Sequence, residues 1–536
     1  MRALAALLFA ALVVLAGCGA PFTAGNGSAD TDASPQASPA SPDDATATPT
    51  TGGATDAATS TADETDPTTG DSSSTERTES TESTGTQGAR SLADPPTDVL
   101  GWENGVWYNE SVPVVASDGL NATERRAVVN RTMARIERVR KLEFSQTVPV
   151  EVTSREDFRQ RPSGTTGDAS SAFRTFDNAK FEGLFLVGEE ENSLAVQRSN
   201  RNQSVAGYYS PTEDSIVVVS DSATPRLNRS TLAHELVHAL QDQQFDLTAN
   251  NPATREAYNA RNGLVEGEAN YVQRRYGDRC GEEWDCLDLG SPDAANSSSG
   301  SLPNLGVYIL SFFPYADGPG FVEAIHEQRG WEGVNALYDD IPASTEQVIY
   351  PDLYGEDAPT NVSIDDTSSA EWSRVELDRP RPDYAVLGQS ALSAMFAYTL
   401  YDEYNRSTVV SPTAFLNYDG LGEVNQSDPF TYGLNYTDGW DGDKMVVYQQ
   451  EDRTGYVWKL TWDSPAEARE FVAGYEELLA HWGGSPTGET GNTWQVREES
   501  PFADAFSIQR DGDTVTIVNA PQTDGLDAVH DGASDG

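Results

Sequence analysis

Cations are scarce in this chain. Lys and Arg total 35 against 85 Asp and Glu, a formal charge of -50 over 536 residues. Nucleic-acid binding needs clustered cations that release counterions, so this balance excludes DNA and RNA as partners. Cysteine is nearly absent, with three residues, and no His or further Cys lies near Cys280 and Cys286 to complete a soft tetrahedral metal set. Beyond the first 18 residues no segment is apolar enough to span a bilayer. Internal repeats are missing too, which argues against a wall protein built from repeated units. Histidine is scarce too, with five residues, and two of them fall in one short segment.

The acidity is not confined to a tail. Carboxylates run through apolar-patterned segments such as Glu213 to Asp221 and Asp438 to Asp452. Self-repulsion at this charge destabilises a compact state in dilute buffer, but molar salt screens it beyond about 3 Å. The composition resembles that of halophilic archaeal proteins.

The N-terminus sets the expected compartment. Arg2 is followed by an apolar run, Ala3 to Ala16, too short for a comfortable span and of the length of a signal-peptide core. Leu15-Ala16-Gly17-Cys18 resembles a lipobox, which implies lipidation of Cys18 and an exported protein tethered to the outer face of the membrane. In that compartment Cys280 and Cys286, flanking a short acidic loop, are expected to form a disulfide.

Residues 19–96 are Thr, Ser, Asp, Ala, Gly and Pro with almost no aromatic or branched apolar side chain, and read as a disordered, glycosylated stalk. Folded sequence is expected over 97–437 and, as a separate small α+β module, over 438–521. Residues 522–536 read as an acidic tail. Sequons recur, among them Asn109, Asn121, Asn130, Asn202, Asn228, Asn296, Asn361, Asn405, Asn425 and Asn435, and mark expected surface positions. Helices are expected over 121–142, 230–245, 255–276, 304–314, 318–329, 333–337, 344–349, 387–404 and 464–482. Strands are expected at 148–152, in a hairpin at 205–209 and 215–219, and at 445–449, 456–462 and around Trp494, Phe506 and Val515.

The segment that carries chemistry is His234-Glu235-Leu236-Val237-His238. Two His four residues apart share one helix face and can present two nitrogens to one ion, and Glu235 beside them is placed as a general base. The helix is apolar nearly all round, so two buried His and a Glu without a shared partner would be costly, and a metal supplies that partner. A third ligand is needed. The other histidines, His326, His481 and His530, are distant, and the next helix offers Glu266 and Glu268 in Leu264-Val265-Glu266-Gly267-Glu268-Ala269-Asn270. Two residues apart on a helix, only one of these carboxylates can face the metal.

Helix and carboxylate run together resemble the gluzincin metallopeptidases, in which a small residue follows the third ligand. Both Glu266-Gly267 and Glu268-Ala269 satisfy that; Glu266 is favoured, with Glu268 solvent-facing or behind the ligands. The resemblance implies bound Zn2+, Glu235 as catalytic base, and Asp242 and Asn270 as outer residues that orient the imidazoles. It departs at Asn270, where those enzymes carry an Asp. Over a longer span, Phe313-Pro314-Tyr315, Ser344-Thr345-Glu346-Gln347 and Gly439-Trp440-Asp441-Gly442-Asp443 resemble a group of haloarchaeal surface proteins with bacterial relatives. The implied fold is α+β: a zincin-like core, with a small mixed sheet on the metal-binding helix and a helical second lobe, plus the C-terminal module. The strand 215–219 is expected to pair with extended peptide substrate, and Tyr315, then His326, to be the oxyanion donor. The expected function is a monomeric cell-surface zinc metallopeptidase acting on peptides or proteins. The alternative is a non-catalytic surface adhesion or binding protein that keeps the zinc site.

Overall fold

The first long helix, α1 (Ala122–Arg140), begins where Asn121 caps it. The Asn121 side chain accepts the Thr123 and Glu124 N–H groups, and the Glu124 carboxylate accepts the Asn121 N–H in return. The computed structural model describes residues 94–535, except 116–117, 162–168, 206, 223, 250–251, 290–303, 379–380, 426–427 and 488–490. The expected signal peptide with Cys18, and the stalk up to residue 93, lie outside the described residues. Asn130, expected at the surface, is instead buried in α1 at 4% exposure, because the helix turns that side toward the core.

A three-stranded mixed sheet follows. Its strands are β1 (Val150–Thr153), β2 (Gly207–Ser210) and β3 (Ser215–Val219), in the order β1-β3-β2. β1 runs parallel to β3 and β2 antiparallel to it. This corrects one expectation: β3 is the central strand, with both its edges paired, and the edge strands are β1 and β2. Three helices between β1 and β2 were not foreseen: α2 (Arg155–Gln160), α3 (Ser171–Gly183) and α4 (Ser193–Ser204).

The next helix, α5 (Arg229–Phe245), packs against α1, against β2 and β3, and against α6 (Arg255–Asp278). Asn228 caps α5 by accepting from Ser230 and Thr231, and Asp246 ends it in the left-handed conformation, φ 52°. Leu236, Val237 and Leu240 are at most 1% exposed, and burying each contributes roughly 2 kcal/mol. Past α6, the Cys280–Cys286 disulfide closes the expected loop.

α6 contains Gly263 and Gly267, residues of low helix propensity. Their use is a close crossing with the corner between α7 (Leu305–Ala316) and α8 (Gly318–Ala336). A Cβ on Gly267 would lie 2.4 Å from the Gly318 carbonyl, and one on Gly318 would lie 2.4 Å from the Gly263 carbonyl oxygen. Backbone meets backbone there, one residue from Glu266. Further on come α9 (Thr345–Ile349) and α10 (Gly388–Tyr398). α10 is shorter than the apolar run predicted, because Thr399 turns back to the Phe396 carbonyl and Asp402 accepts the N–H groups of Tyr404 and Asn405.

The C-terminal part is a seven-stranded antiparallel sheet. β4 (Ser373–Arg374), β5 (Trp440–Gln450), β6 (Arg453–Trp462), β7 (Gly484–Thr487), β8 (Thr493–Val496), β9 (Ala505–Asp511) and β10 (Thr514–Ala520) lie in the order β4-β5-β6-β10-β9-β8-β7. The sheet does not stand apart as expected. One face and α11 (Pro465–His481) share a continuous core with α7, α8 and α10, and Phe185 sits among Tyr475, Trp482, Phe502 and Phe506. Nor is 522–536 a loose acidic tail. Leu526, Val529 and Ala533 are at most 1% exposed and cover the other face of the sheet with Trp372 and Val446.

Polar braces join the parts. Asp443 on β5 accepts the Leu387 and Gly388 N–H groups at the start of α10 and the Trp458 indole N–H. Glu256 in the first turn of α6 accepts from the Thr345 backbone and hydroxyl. Gly388, at φ 80°, is required there, since a Cβ would overlap the Glu256 carboxylate. The segments 344–347 and 439–443 thus act as structural ties.

Candidate metal centre

α5 and α6 lie side by side, and their facing surfaces bring three donors together. His234 Nε2 and His238 Nε2 are 3.0 Å apart, and each is 3.2 Å from Glu266 Oε2. All three residues are at most 5% exposed. In a tetrahedral site with bonds of 2.0–2.1 Å, ligand atoms are spaced about 3.3–3.4 Å apart. The observed triangle is within a few tenths of an ångström of that. Two imidazoles and a carboxylate are the donor set of a catalytic divalent-metal site that keeps one position open.

The outer contacts suit metal ligation by His238. His238 Nδ1 is 2.8 Å from Gln241 Oε1, while Gln241 Nε2 donates to the Val265 carbonyl and to Glu268. With both amide hydrogens committed, Gln241 Oε1 must accept, so His238 carries its proton on Nδ1. In the neutral ring the Nε2 lone pair then points at the triangle, as a metal ligand requires. Burial opposes charge on His238, yet the Glu266 carboxylate outweighs it and raises the imidazole to about 9 without a metal. Burial likewise opposes ionisation of Glu266, but the two imidazoles, His238 foremost, hold it down to about 2. The carboxylate is ready to ligate across the neutral range.

Glu268 faces away from the triangle but not toward solvent. At 1% exposure it accepts from the Arg140 guanidinium, the Tyr338 hydroxyl and Gln241. A chain of contacts therefore runs Arg140–Glu268–Gln241–His238.

Glu235 lies one residue from the first imidazole, and its Oε2 accepts the Tyr209 backbone N–H at 2.8 Å. Tyr209 is on the edge strand β2, and its hydroxyl donates to Asp242 Oδ2 at 2.8 Å. Asp242 also accepts the Leu247 N–H. So Asp242 does not hold an imidazole: it pins the strand whose backbone orients Glu235. Asn270 is buried at 8%, and among the described residues no hydrogen bond joins it to either ring. The partner the resemblance implied is supplied on one ring by Gln241, three residues after His238 on the same helix face, a spacing readable in the sequence.

Tyr315 on α7 stacks on His234 with ring centres 6.4 Å apart. His326 does not reach the site and packs on Trp331 and Tyr271. His481 bonds Asp402, and His530 bonds Thr367. Two all-carboxylate groups, Glu182-Glu189-Asp504 and Glu346-Asp357-Asp463, also lie close enough to share a cation. Neither contains an imidazole.

A cavity of about 420 Å³ opens beside the triad, lined in part by Tyr209, His238, Glu266 and Tyr315. Among known families, a Domain of unknown function (DUF8575) matches residues 374–530, which covers the C-terminal sheet with α10 and excludes the triad and the 344–347 tie. No curated protein and no solved structure matches the chain.

Proposed function

We propose that this protein is a zinc-dependent peptidase with a gluzincin-like site on a zincin-type core. The observation that carries the reading is the buried triangle of His234, His238 and Glu266 with Glu235 beside it. Zinc held by those three residues would supply Lewis acidity to a water and to the substrate carbonyl. Glu235 takes the proton of the attacking water and returns it to the leaving amine. The Tyr209 N–H keeps that carboxylate aimed, and Asp242 keeps Tyr209 in place. Gln241 fixes the tautomer of His238. Extended peptide lies along the β2 edge rather than β3, and Tyr315, whose ring stacks on His234, is the proposed donor for the carbonyl oxygen. The protein is proposed to be exported, monomeric and held to the membrane's outer face by a lipid on Cys18.

The test uses full-length protein purified in molar salt. Metal analysis is expected to give one zinc per chain, and unfolded proteins are expected to be cleaved. Glu235→Gln is expected to keep the zinc and lose the cleavage. A wild type that binds zinc yet cleaves no member of a peptide library would instead favour a non-catalytic adhesion or binding role.

A further inference from the structure

The cavity at the triad inverts the charge of the chain. Overall, cations are outnumbered 35 to 85, yet this cavity is lined by six of them, Lys180, Arg198, Arg201, Arg255, Arg261 and Arg381. Only two carboxylates line it, Asp177 and Glu266. Six minus two leaves a surplus of four positive charges before any metal is counted, on a chain of net charge -50.

For Lys180, Arg198 and Arg255, the one lining carboxylate outside the triad is Asp177. Glu266 belongs to the triad. Asp177 is buried and committed to the Lys180 ammonium, with the Ser193 hydroxyl and the Gln197 amide on its other oxygen. Arg255 reaches the Gln197 amide oxygen at 3.5 Å, lies over the Phe181 and Tyr258 rings, and adds its charge to the attraction that keeps Asp177 ionised. Among the described residues no ion pair joins Arg198 or Arg255 to a carboxylate. Burial lowers the Lys180 ammonium, and after the opposing pull of Asp177, Arg255 and Arg381 push it the same way, so three cations converge on one carboxylate. Apolar side chains such as Phe176 and Val307 complete the lining and weaken the screening of charge inside. Lys180 and Arg255 share the single Asp177 carboxylate, and an anion entering the cleft relieves the repulsion between them.

We propose that the cleft selects peptide substrates by a carboxylate, the carboxylate being seated among Arg255, Arg198 and Lys180 while the scissile bond lies at His234, His238 and Glu266. This rests on the peptidase reading and names its substrate class. Both an Asp or Glu side chain and a free C-terminus offer that chemistry.

Three quenched fluorescent peptides of one length separate the sources: one with Asp and Glu flanking the central bond and an amidated C-terminus, its Asn and Gln counterpart also amidated, and that neutral peptide with a free C-terminus. The zinc-loaded full-length protein is expected to cleave one of the two carboxylate-bearing peptides with kcat/KM at least tenfold above the neutral amide. That is the gain of about one charge-assisted contact. Which peptide gains identifies the source. Arg255→Glu is expected to collapse that ratio and to favour a Lys-bearing peptide, a gain that misfolding cannot mimic. Equal kcat/KM for all three peptides, or an Arg255→Glu protein with unchanged preference, overturns the proposal. The same peptides are titrated by fluorescence anisotropy onto zinc-loaded Glu235→Gln. If the wild type cleaves nothing while this variant still binds the carboxylate-bearing peptide tenfold tighter, the cleft assignment stands and the peptidase reading falls. Equal binding of all three removes the cleft assignment.

Discussion

Glu266 and Glu268 sit two residues apart on α6, both buried, and their replacement by Ala is expected to fail in opposite ways. Glu268 is the only carboxylate paired with Arg140 among the described residues, and both side chains are at most 1% exposed. Arg140 cannot shed its charge. Removing its partner leaves an uncompensated buried cation, at a cost of about 3–5 kcal/mol. For the span 94–535, about 440 residues, the unfolding entropy is about 0.9 kcal/mol per kelvin. The melting temperature of metal-free Glu268→Ala should therefore fall by about 3–5 °C if the unit melts together. Glu266 is paired instead with His238, which can release its proton when the carboxylate goes. Metal-free Glu266→Ala should melt closer to wild type. Zinc affinity reverses the order. Losing an outer partner of a ligand costs 10–100-fold, so losing the ligand itself should cost more than about 100-fold, on the order of 3 kcal/mol. Melting by calorimetry after chelation, and zinc titration against a competing chelator, give the two numbers for each variant in molar salt. Retained zinc affinity in Glu266→Ala together with its loss in Glu268→Ala would refute the ligand assignment.

Gln241→Leu removes the acceptor that sets the His238 tautomer, and zinc affinity should drop 10–100-fold in the same titration; an unchanged affinity would mean the amide is structural only. Gly267→Ala drives a methyl into the Gly318 carbonyl, and urea denaturation should show a loss of about 1–3 kcal/mol; a neutral or stabilised variant would mean the crossing is loose. Acid should stabilise the metal-free protein. Burial raises Glu256 to about 8 and Glu346 to about 9, the latter helped by Asp463. Carboxyls raised in the folded state contribute stability that is complete below about 4.5 and lost as pH rises through those values. The melting temperature of chelated protein should fall from pH 5 to pH 9, and a rise over that interval would contradict the burial of these groups.

What the sequence disclosed about the site was what lies on one helix. His234, Glu235 and His238 are four residues deep in a single pattern, and a helix of known pitch converts spacing into a shared face. Glu266 needed a second helix, and its choice over Glu268 depended on how α6 is rotated. That rotation is set by Gly263 and Gly267 meeting Gly318, a contact between residues more than fifty apart in the chain. The edge of the small sheet was misjudged for a related reason. The hairpin was legible from its turn, but which of its strands takes the third partner depends on where β1 returns, and local alternation carries no such information. The helices α3 and α4, which bring Asp177, Lys180 and Arg198 to the cavity, lie in polar stretches whose stability comes from packing and not from propensity.

The last fifteen residues show the opposite failure, a local signal overruled by composition. Leu526, Val529 and Ala533 are spaced three and four apart, the interval of one helix face, and each is at most 1% exposed. In a chain where carboxylates occupy even buried positions such as Asp443 and Glu256, acidity does not distinguish tail from core. Apolar spacing does. The same argument makes the cavity beside the triad informative. Acidic residues are the default throughout this chain, so a carboxylate on its surface carries little meaning, while a cation has to be accounted for. Arg255 is held by an amide and two aromatic rings, and the carboxylate that feels its charge, Asp177, is already bonded to Lys180. In a protein with carboxylates to spare, leaving that guanidinium to share Asp177 with Lys180 is the observation behind the proposed anionic substrate.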